Sequence, residues 1–364
     1  MSEKTNVLIL FGGQSGEHDV SVISAASVCK ALNPEKYAVQ TMGITKEGKW
    51  YWGADPEEWM DAKADITANA VQVAVTLDPQ KPGFQAVDGR ELPNQGTCDI
   101  LFPVMHGPKG EDGTIQGLFE MAGFPYVGSG VLGSSLGMDK DRMKAVFKEA
   151  GLPIVPHITL LRSKINAASE EAADHIVQEI GFPCFVKPAN LGSSVGISKA
   201  DNREQLVEAL LYAAKYDRKV VVEMGVKARE IELSVLGNEN AKASIPGEIR
   251  PAKDFYDYEA KYLDNSSELI IPAKLDAAMI KLLQTYAVMA FDAVGASGLS
   301  RVDFFVTEDN QIYINEINTL PGFTQISMYP KLWEATGIRY PELLDELIRL
   351  GFEKFRDDAD RRLS

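Results

Sequence analysis

The segment 300–318 packs the most chemistry into the least length of this 364-residue chain. Residues 300–306 and 311–318 alternate polar and apolar on either side of Asp309-Asn310, the pattern of a hairpin. A turn there sets Asp303 opposite Glu316 and Arg301 opposite Asn318. Arg301, Asp303 and Phe305 then share one face, and Ile314, Glu316 and Asn318 share a face of the partner strand. Opposed carboxylates, about 5 Å apart at Cβ, repel unless positive charge lies between them. With an amide oxygen beside them they make a hard-oxygen set suited to Mg²⁺ or Mn²⁺ bridging to a phosphate. The alternative is a solvated polar face on which Arg301 neutralises Asp303. Val302, Phe304, Ile312 and Ile317 predict that the opposite face is packed, which would hold the polar face rigid.

A second candidate is Lys187-Pro188 followed by the Gly- and Ser-rich run Gly192-Ser193-Ser194-Val195-Gly196. Pro188 keeps the lysine extended. The loop after it can offer backbone N–H groups and hydroxyls to an anion, with the lysine as counter-charge; taken alone, it reads more readily as an ordinary turn. It is not a Walker A loop, since Gly-Lys-Ser/Thr is missing. Glu223 ends an apolar run at a Met224-Gly225 break, and Glu230 follows seven residues later; both also read as surface glutamates. Glu17 lies where a first strand meets a first helix, after Gly12-Gly13-Gln14-Ser15-Gly16. It could serve the helix dipole or grip a substrate amine. His106-Gly107, with Glu111-Asp112-Gly113, falls at the equivalent edge of a later strand and reads as structural or catalytic.

The elements that must position these residues follow from hydrophobic period. Residues 6–11, 37–44 and 100–105 predict buried strands and 20–32 a helix, a parallel α/β arrangement with a polar, poorly patterned stretch between the second and third strands. Ligands of such sheets sit beyond the strands' carboxyl ends. A basic helix over 138–150 is stopped by Gly151 and Pro153. Strands at 184–186 and 219–223 alternate with helices at 169–180 and 203–214, an α+β unit. Residues 250–271 have no steady period and read as a long loop; a helix over 276–294, the hairpin and a final helix complete the chain.

Lys and Arg number 37 against 52 Asp and Glu, a net charge of −15, which disfavours nucleic acid or anionic membrane as partner. No apolar run approaches the roughly 18–20 residues of a membrane span, and the five apolar residues before Gly12 are too few for a signal peptide. Cys29, Cys98 and Cys184 are scattered in apolar sequence and read as core thiols of a reducing compartment. A soluble, cytoplasmic protein is expected.

Together these motifs resemble the D-alanine–D-alanine ligase family of the ATP-grasp superfamily. The resemblance runs through Gly12-Gly13 to Ser21, His106 to Gly117, Met138-Asp139-Lys140, Lys187 to Gly196, Arg301-x-Asp303, and Asn315-Glu316-x-Asn318-Thr319-x-Pro321-Gly322. It implies an α/β fold with an α+β centre and three domains. These are an N-terminal Rossmann-like domain over 1–137, a central ATP-grasp domain over 138–228, and a C-terminal ATP-grasp domain over 229–364 with a mobile loop at 250–271. It implies ATP held between the last two, with Lys140 and Lys187 on its phosphates and Ser193-Ser194 covering them. Glu223, Val226 and Glu230 would surround adenine and ribose. Asp303, Glu316 and Asn318 would hold two Mg²⁺ or Mn²⁺ ions. Met224 stands where many relatives carry lysine.

For the substrates, the resemblance implies Glu17 on the ammonium of a first D-alanine with His106 near it. Ser327 would hold the carboxylate of a second, and Arg301 with the Gly322 backbone N–H would form an oxyanion hole. Lys261 would reach the transferred phosphate, Tyr262 would bond Ser193, and Ser193 would bond Glu17. The family also implies a homodimer. Tyr262 favours D-alanine over D-lactate as second substrate, since depsipeptide-forming relatives have phenylalanine or a different loop there. The alternatives are such a D-alanine–D-lactate ligase and a nucleotide-binding regulator that has lost catalysis.

Overall fold

The computed structural model describes residues 4–61, 65, 67–250 and 268–360. Their strands make three sheets. In chain order the first region comprises β1 (Thr5–Gly12), α1 (His18–Ala31), β2 (Tyr37–Ile44), β3 (Trp50–Trp52), α2 (Pro56–Trp59), β4 (Val71–Thr76), β5 (Gly83–Ala86), β6 (Ile100–Pro103) and α3 (Thr114–Ala122). β1 is an unbroken apolar run, Val7 to Phe11 being fully buried, as befits a strand covered on both faces. It pairs in parallel with β2 and β6.

The polar stretch after β2 is not featureless. It supplies β3, β4 and β5, which extend the sheet antiparallel to give the order β5-β4-β3-β2-β1-β6. These strands are short, and only Trp52, Val73, Gly83 and Phe84 in them are buried. Val71, Val73 and Val75 of β4 do alternate, but β3 and β5 are too short to show a period.

The second region begins with α4 (Val131–Met138), which the sequence does not predict, and α5 (Lys140–Glu149), the expected basic helix over 138–150 begun two residues later. The break is Asp139, whose carboxylate accepts from the Arg142 backbone N–H at 3.2 Å and starts α5 afresh. Then come β7 (His157–Leu161), α6 (Arg162–Ala167), α7 (Ser169–Glu179), β8 (Cys184–Pro188), β9 (Ser198–Ala200), α8 (Arg203–Ala213) and β10 (Lys219–Met224). They form an antiparallel sheet in the order β7-β10-β8-β9.

The third region holds β11 (Ala228–Gly237), β12 (Lys242–Ala243), β13 (Gly247–Arg250), β14 (Glu268–Ile270), α9 (Ala277–Ala293), β15 (Gly298–Thr307), β16 (Ile312–Asn318), α10 (Met328–Thr336) and α11 (Tyr340–Ala359). Its sheet runs β14-β13-β11-β15-β16, with β12 beside β11. The ends of the expected loop over 250–271 are strand, Arg250 pairing with Glu268. Residues 251–267, Lys261 and Tyr262 among them, lie outside the described residues.

The predicted hairpin register holds at its working end, where Arg301 faces Asn318 and Asp303 faces Glu316. Beyond Asp303 the register shifts, so Phe304 pairs with Ile314 and Asn315 is the extra residue of a β-bulge. Ile314 therefore does not share the face of Glu316, as simple alternation predicts. It turns inward and is fully buried beside Phe304 and Phe291. The inward residues Val302, Phe304, Ile312 and Ile317 are buried as expected. Helix α11 returns to the first sheet, where Leu343, Leu344 and Leu347 share a core with Val7 and Ile9 of β1. Cys29, Cys98 and Cys184 are unpaired thiols, half-buried or buried. Among the described residues no helix is long and apolar enough to cross a membrane.

Candidate active site

Glu17 takes the first residue before α1, yet its side chain does not cap that helix. Only 7% exposed, it accepts a hydrogen bond from the Ser193 hydroxyl in the loop after β8. The carboxylate lies between Gly107 and Gly192, where a Cβ on either glycine would crowd its oxygens. Ser193 and Ser194 both adopt left-handed backbone, φ 51° and 59°. For non-glycine residues this costs about 1–2 kcal/mol each, and it is the kind of strain kept where a loop must present itself to a ligand. Thus two motifs separated by 176 residues meet at one carboxylate.

His106, 3% exposed, is held from both ring nitrogens. Nε2 lies 3.0 Å from the Ser24 hydroxyl, and Nδ1 lies 3.1 Å from the Leu320 carbonyl and 3.5 Å from Glu111. Burial pushes the Glu111 carboxyl up to about 7, aided by Glu17 and opposed by His106. Burial pulls the imidazole down, but Glu111 and Glu17 outweigh it and its value rises. The Leu320 contact ties this corner to the segment after β16. There the Asn318 amide oxygen accepts from the Leu320 N–H at 3.1 Å. Further along, Ser327 Oγ accepts from the Thr324 N–H at 3.1 Å and stands beside Gly322.

The second focus is cationic. Lys140, one residue into α5, donates to the Leu191 carbonyl at 2.8 Å and lies 3.6 Å from Glu316. Lys187 donates to Glu223 at 2.8 Å and reaches the Asn315 amide oxygen at 3.4 Å. Glu223 is 2% exposed, so it is no surface glutamate. Its other oxygen meets Lys144 at 3.1 Å. Burial alone would raise the Glu223 carboxyl, but the two ammonium groups hold it down at about 2. Burial lowers Lys187 less than Glu223 and Glu316 raise it. Val226 lies in the link between β10 and β11, and Glu230 two residues into the paired part of β11.

The third focus is acidic. Glu230 and Glu232 of β11 line one small cavity of about 40 Å³ together with Asp303, Asn315 and Glu316. Arg301 grips both oxygens of Asp303 at 2.7 Å and lies 3.1 Å from Glu232. Burial disfavours its charge, but Asp303 and Glu232 together raise its value well above normal. The bland reading, Arg301 neutralising Asp303, thus describes part of the site, but four carboxylates still outnumber the Arg301 and Lys140 cations beside them. That surplus of hard oxygens suits a divalent cation. Among the described residues no group of three or more His, Cys, Asp or Glu is arranged to hold one unaided. Two carboxylates and an amide completed by phosphate oxygens and water are what Mg²⁺ requires.

Glu232 and Lys144 were not singled out by sequence, and Glu111 and Asn315 entered only within motifs, with no role of their own. Glu230-Ile231-Glu232-Leu233 does alternate, so Glu232 was readable once its neighbour was a candidate. Lys144 follows Lys140 by one helical turn, among the apolar Met143 and Phe147.

The chain matches family models described as "D-ala D-ala ligase N-terminus" over residues 6–129 and "D-ala D-ala ligase C-terminus" over residues 146–349. It is 50% identical over 358 residues to a D-alanine–D-alanine ligase of Heliobacterium modesticaldum, covering 97% of this chain and 96% of that one. A D-alanine–D-alanine ligase of Acetivibrio thermocellus is 47% identical, with 98% of each chain covered. Among solved structures, the D-alanine–D-alanine ligase of Coxiella burnetii superposes with a TM-score of 0.84 at 36% identity, covering 98% of this chain and 97% of that one. The VanG D-Ala:D-Ser ligase of Enterococcus faecalis superposes with a TM-score of 0.86 at 36% identity, covering 96% of this chain and all of that one.

Proposed function

The chain belongs to the D-alanine–D-alanine ligase family, of ATP-grasp fold, and on that premise we propose that it joins two D-alanine molecules at the expense of ATP. The dipeptide would serve peptidoglycan precursor synthesis. The observation that carries the reading is the meeting of Glu17 and Ser193 beside the lysine and carboxylate clusters. One carboxylate for a substrate amine thereby stands next to groups for a polyphosphate.

In this reading the first D-alanine places its ammonium on Glu17, a charge-assisted bond strengthened by burial. Its carboxylate attacks the γ-phosphorus of ATP, the bond to the bridging oxygen of ADP breaks, and an acyl phosphate forms. Lys140 and Lys187 stabilise the phosphate charge, and Ser193-Ser194 cover it; positioning supplies most of the acceleration. Glu223, Val226 and Glu230 bound the nucleoside. The amine of the second D-alanine, its carboxylate on Ser327, then attacks the acyl carbon. The tetrahedral oxyanion faces Arg301 and the Gly322 N–H. It collapses with loss of phosphate, and the amine's proton is released. Asp303, Glu316 and Asn318 are the residues that would hold two Mg²⁺ or Mn²⁺ ions, whose charge would offset that of the transferring phosphoryl group. Lys261 and Tyr262 complete the proposal from outside the described residues, Lys261 at the phosphate and Tyr262 on Ser193. The division at 137/138 and 228/229, a homodimer and a cytoplasmic location belong to the same reading.

The similarity to a D-Ala:D-Ser ligase makes the second substrate the point to test. Phosphate release from ATP and Mg²⁺ should depend on D-alanine, and mass analysis should find D-alanyl-D-alanine as the main product when D-serine or D-lactate is added in equal amount. A mixed dipeptide or depsipeptide as main product would overturn the second-substrate assignment. No D-alanine-dependent phosphate release would remove the ligase reading in favour of a nucleotide-binding regulator.

A further inference from the structure

Lys144 is fully buried, and the reaction just derived makes no use of it. It lies four residues after Lys140, so α5 turns both ammonium groups toward the same cleft. Lys140 stops at the cleft surface, at the Leu191 carbonyl and Glu316. Lys144 goes deeper, to Glu223 Oε1 at 3.1 Å and the backbone carbonyl of the bulge residue Asn315 at 3.4 Å. Lys187 takes the other oxygen of Glu223 and the side-chain oxygen of the same Asn315. One carboxylate and one bulge residue are thus each divided between two lysines.

We propose that Lys144 is a positioning residue for nucleotide binding, dividing Glu223 so that Lys187 keeps charge and aim for an incoming phosphate. A lone Lys187–Glu223 pair would be neutral, and Glu223 would be free to turn both oxygens onto Lys187. Burial and the neighbouring Lys187 pull the Lys144 ammonium below its usual value while Glu223 holds it up; with it charged, the three groups sum to +1 in a low-dielectric pocket, where that charge acts strongly on an arriving polyphosphate. Lys144 also pins the bulge, fixing the distance between the central sheet and the hairpin that carries Asp303 and Glu316. The proposal rests on the reading of Lys187 as a phosphate-binding residue.

The test compares Lys144→Met, Lys144→Arg and Lys187→Met in the full chain. Equilibrium binding of Mg-ATP without D-alanine is measured beside KM for each substrate. Lys144→Met should weaken ATP binding by roughly tenfold or more, the scale of one hydrogen bond between charged groups, and leave KM for D-alanine nearly unchanged. Lys144→Arg should bind ATP more tightly than Lys144→Met, because the charge is kept. Wild-type ATP affinity in a folded Lys144→Met protein, a parallel rise in both KM values, or an Arg variant as weak as the Met variant would overturn the proposal. If Lys144→Met does not fold, Lys144→Gln is read by the same criteria. If Lys187→Met binds ATP normally, the underlying reading of the nucleotide site falls, and this proposal with it.

Discussion

The hydroxyl of Ser193 donates its hydrogen bond to the carboxylate of Glu17, joining the loop after β8 to the start of α1. The same bond that positions the carboxylate also fixes a loop whose two serines sit in left-handed backbone. The carboxylate proposed for the substrate amine and the loop proposed for the nucleotide phosphate are therefore one connected structure.

Ser193→Ala removes that bond and leaves Glu17 free to turn. Turnover should fall by about a hundredfold, the scale of a 1 Å misplacement, with KM for D-alanine rising more than KM for ATP. Steady-state phosphate release at varied D-alanine checks it. Equal KM changes would mean the bond serves the loop alone.

Asp303→Asn and Glu316→Gln each remove one charge from a cavity lined by four carboxylates. The Mg²⁺ concentration for half-maximal rate should rise by roughly tenfold or more. Chelation should abolish turnover in the wild type and Mg²⁺ should restore it. A rate independent of divalent ions would remove the metal assignment.

Ile314 offers a stability test of the bulge, because without it the side chain would face the cleft. Ile314→Ala should cost about 2–5 kcal/mol, the range for a buried isoleucine, and Ile314→Val about 0.5–1.5. Chemical denaturation measures both. A loss below about 0.5 kcal/mol for the alanine variant, typical of surface changes, would place Ile314 outside the core.

The Glu111–His106 pair predicts a direction with pH. Glu111 rises from 4.5 to about 7 on folding, so the folded chain holds a proton that the unfolded chain gives up. Its contribution is complete below 4.5 and is lost as pH rises through 7. His106 is also raised and loses its contribution in the same sense. Between pH 5 and 8 the thermal midpoint of the wild type should fall relative to that of Glu111→Gln. Parallel midpoints would show that Glu111 does not change protonation on folding.

The hairpin was legible because its signals agree: alternation on both strands and a turn pair between them fix Asp303 against Glu316. The bulge was not, since one extra residue leaves no mark on a period of two, and it moved Ile314 to the other face while bringing Asn315 to the lysines. Glu223 ends an apolar run, Val220 to Val222, and that run was the signal that it is buried. Lys144 resisted reading because a lysine on a helix looks solvated until a partner inside is known. β3 and β5 escaped because three or four residues show no period, whereas the alternation of Val71, Val73 and Val75 in β4 was there to be read.

The path of α11 has a consequence for biosynthesis. Asp345 of α11 bonds to Lys36 and Tyr37, the first of them 309 residues earlier in the chain, and the helix's leucines complete the core around β1. At roughly 5–20 residues per second on the ribosome, the core that β1 begins with α1 waits on the order of tens of seconds for its last helix. Through that interval Val7 and Ile9 have Val22, Ala25 and Val28 of α1 as partners in that core. A chain cut short before α11 would keep α1 on that face but lack Leu343, Leu344 and Leu347, and so would expose apolar surface that quality-control machinery can recognise.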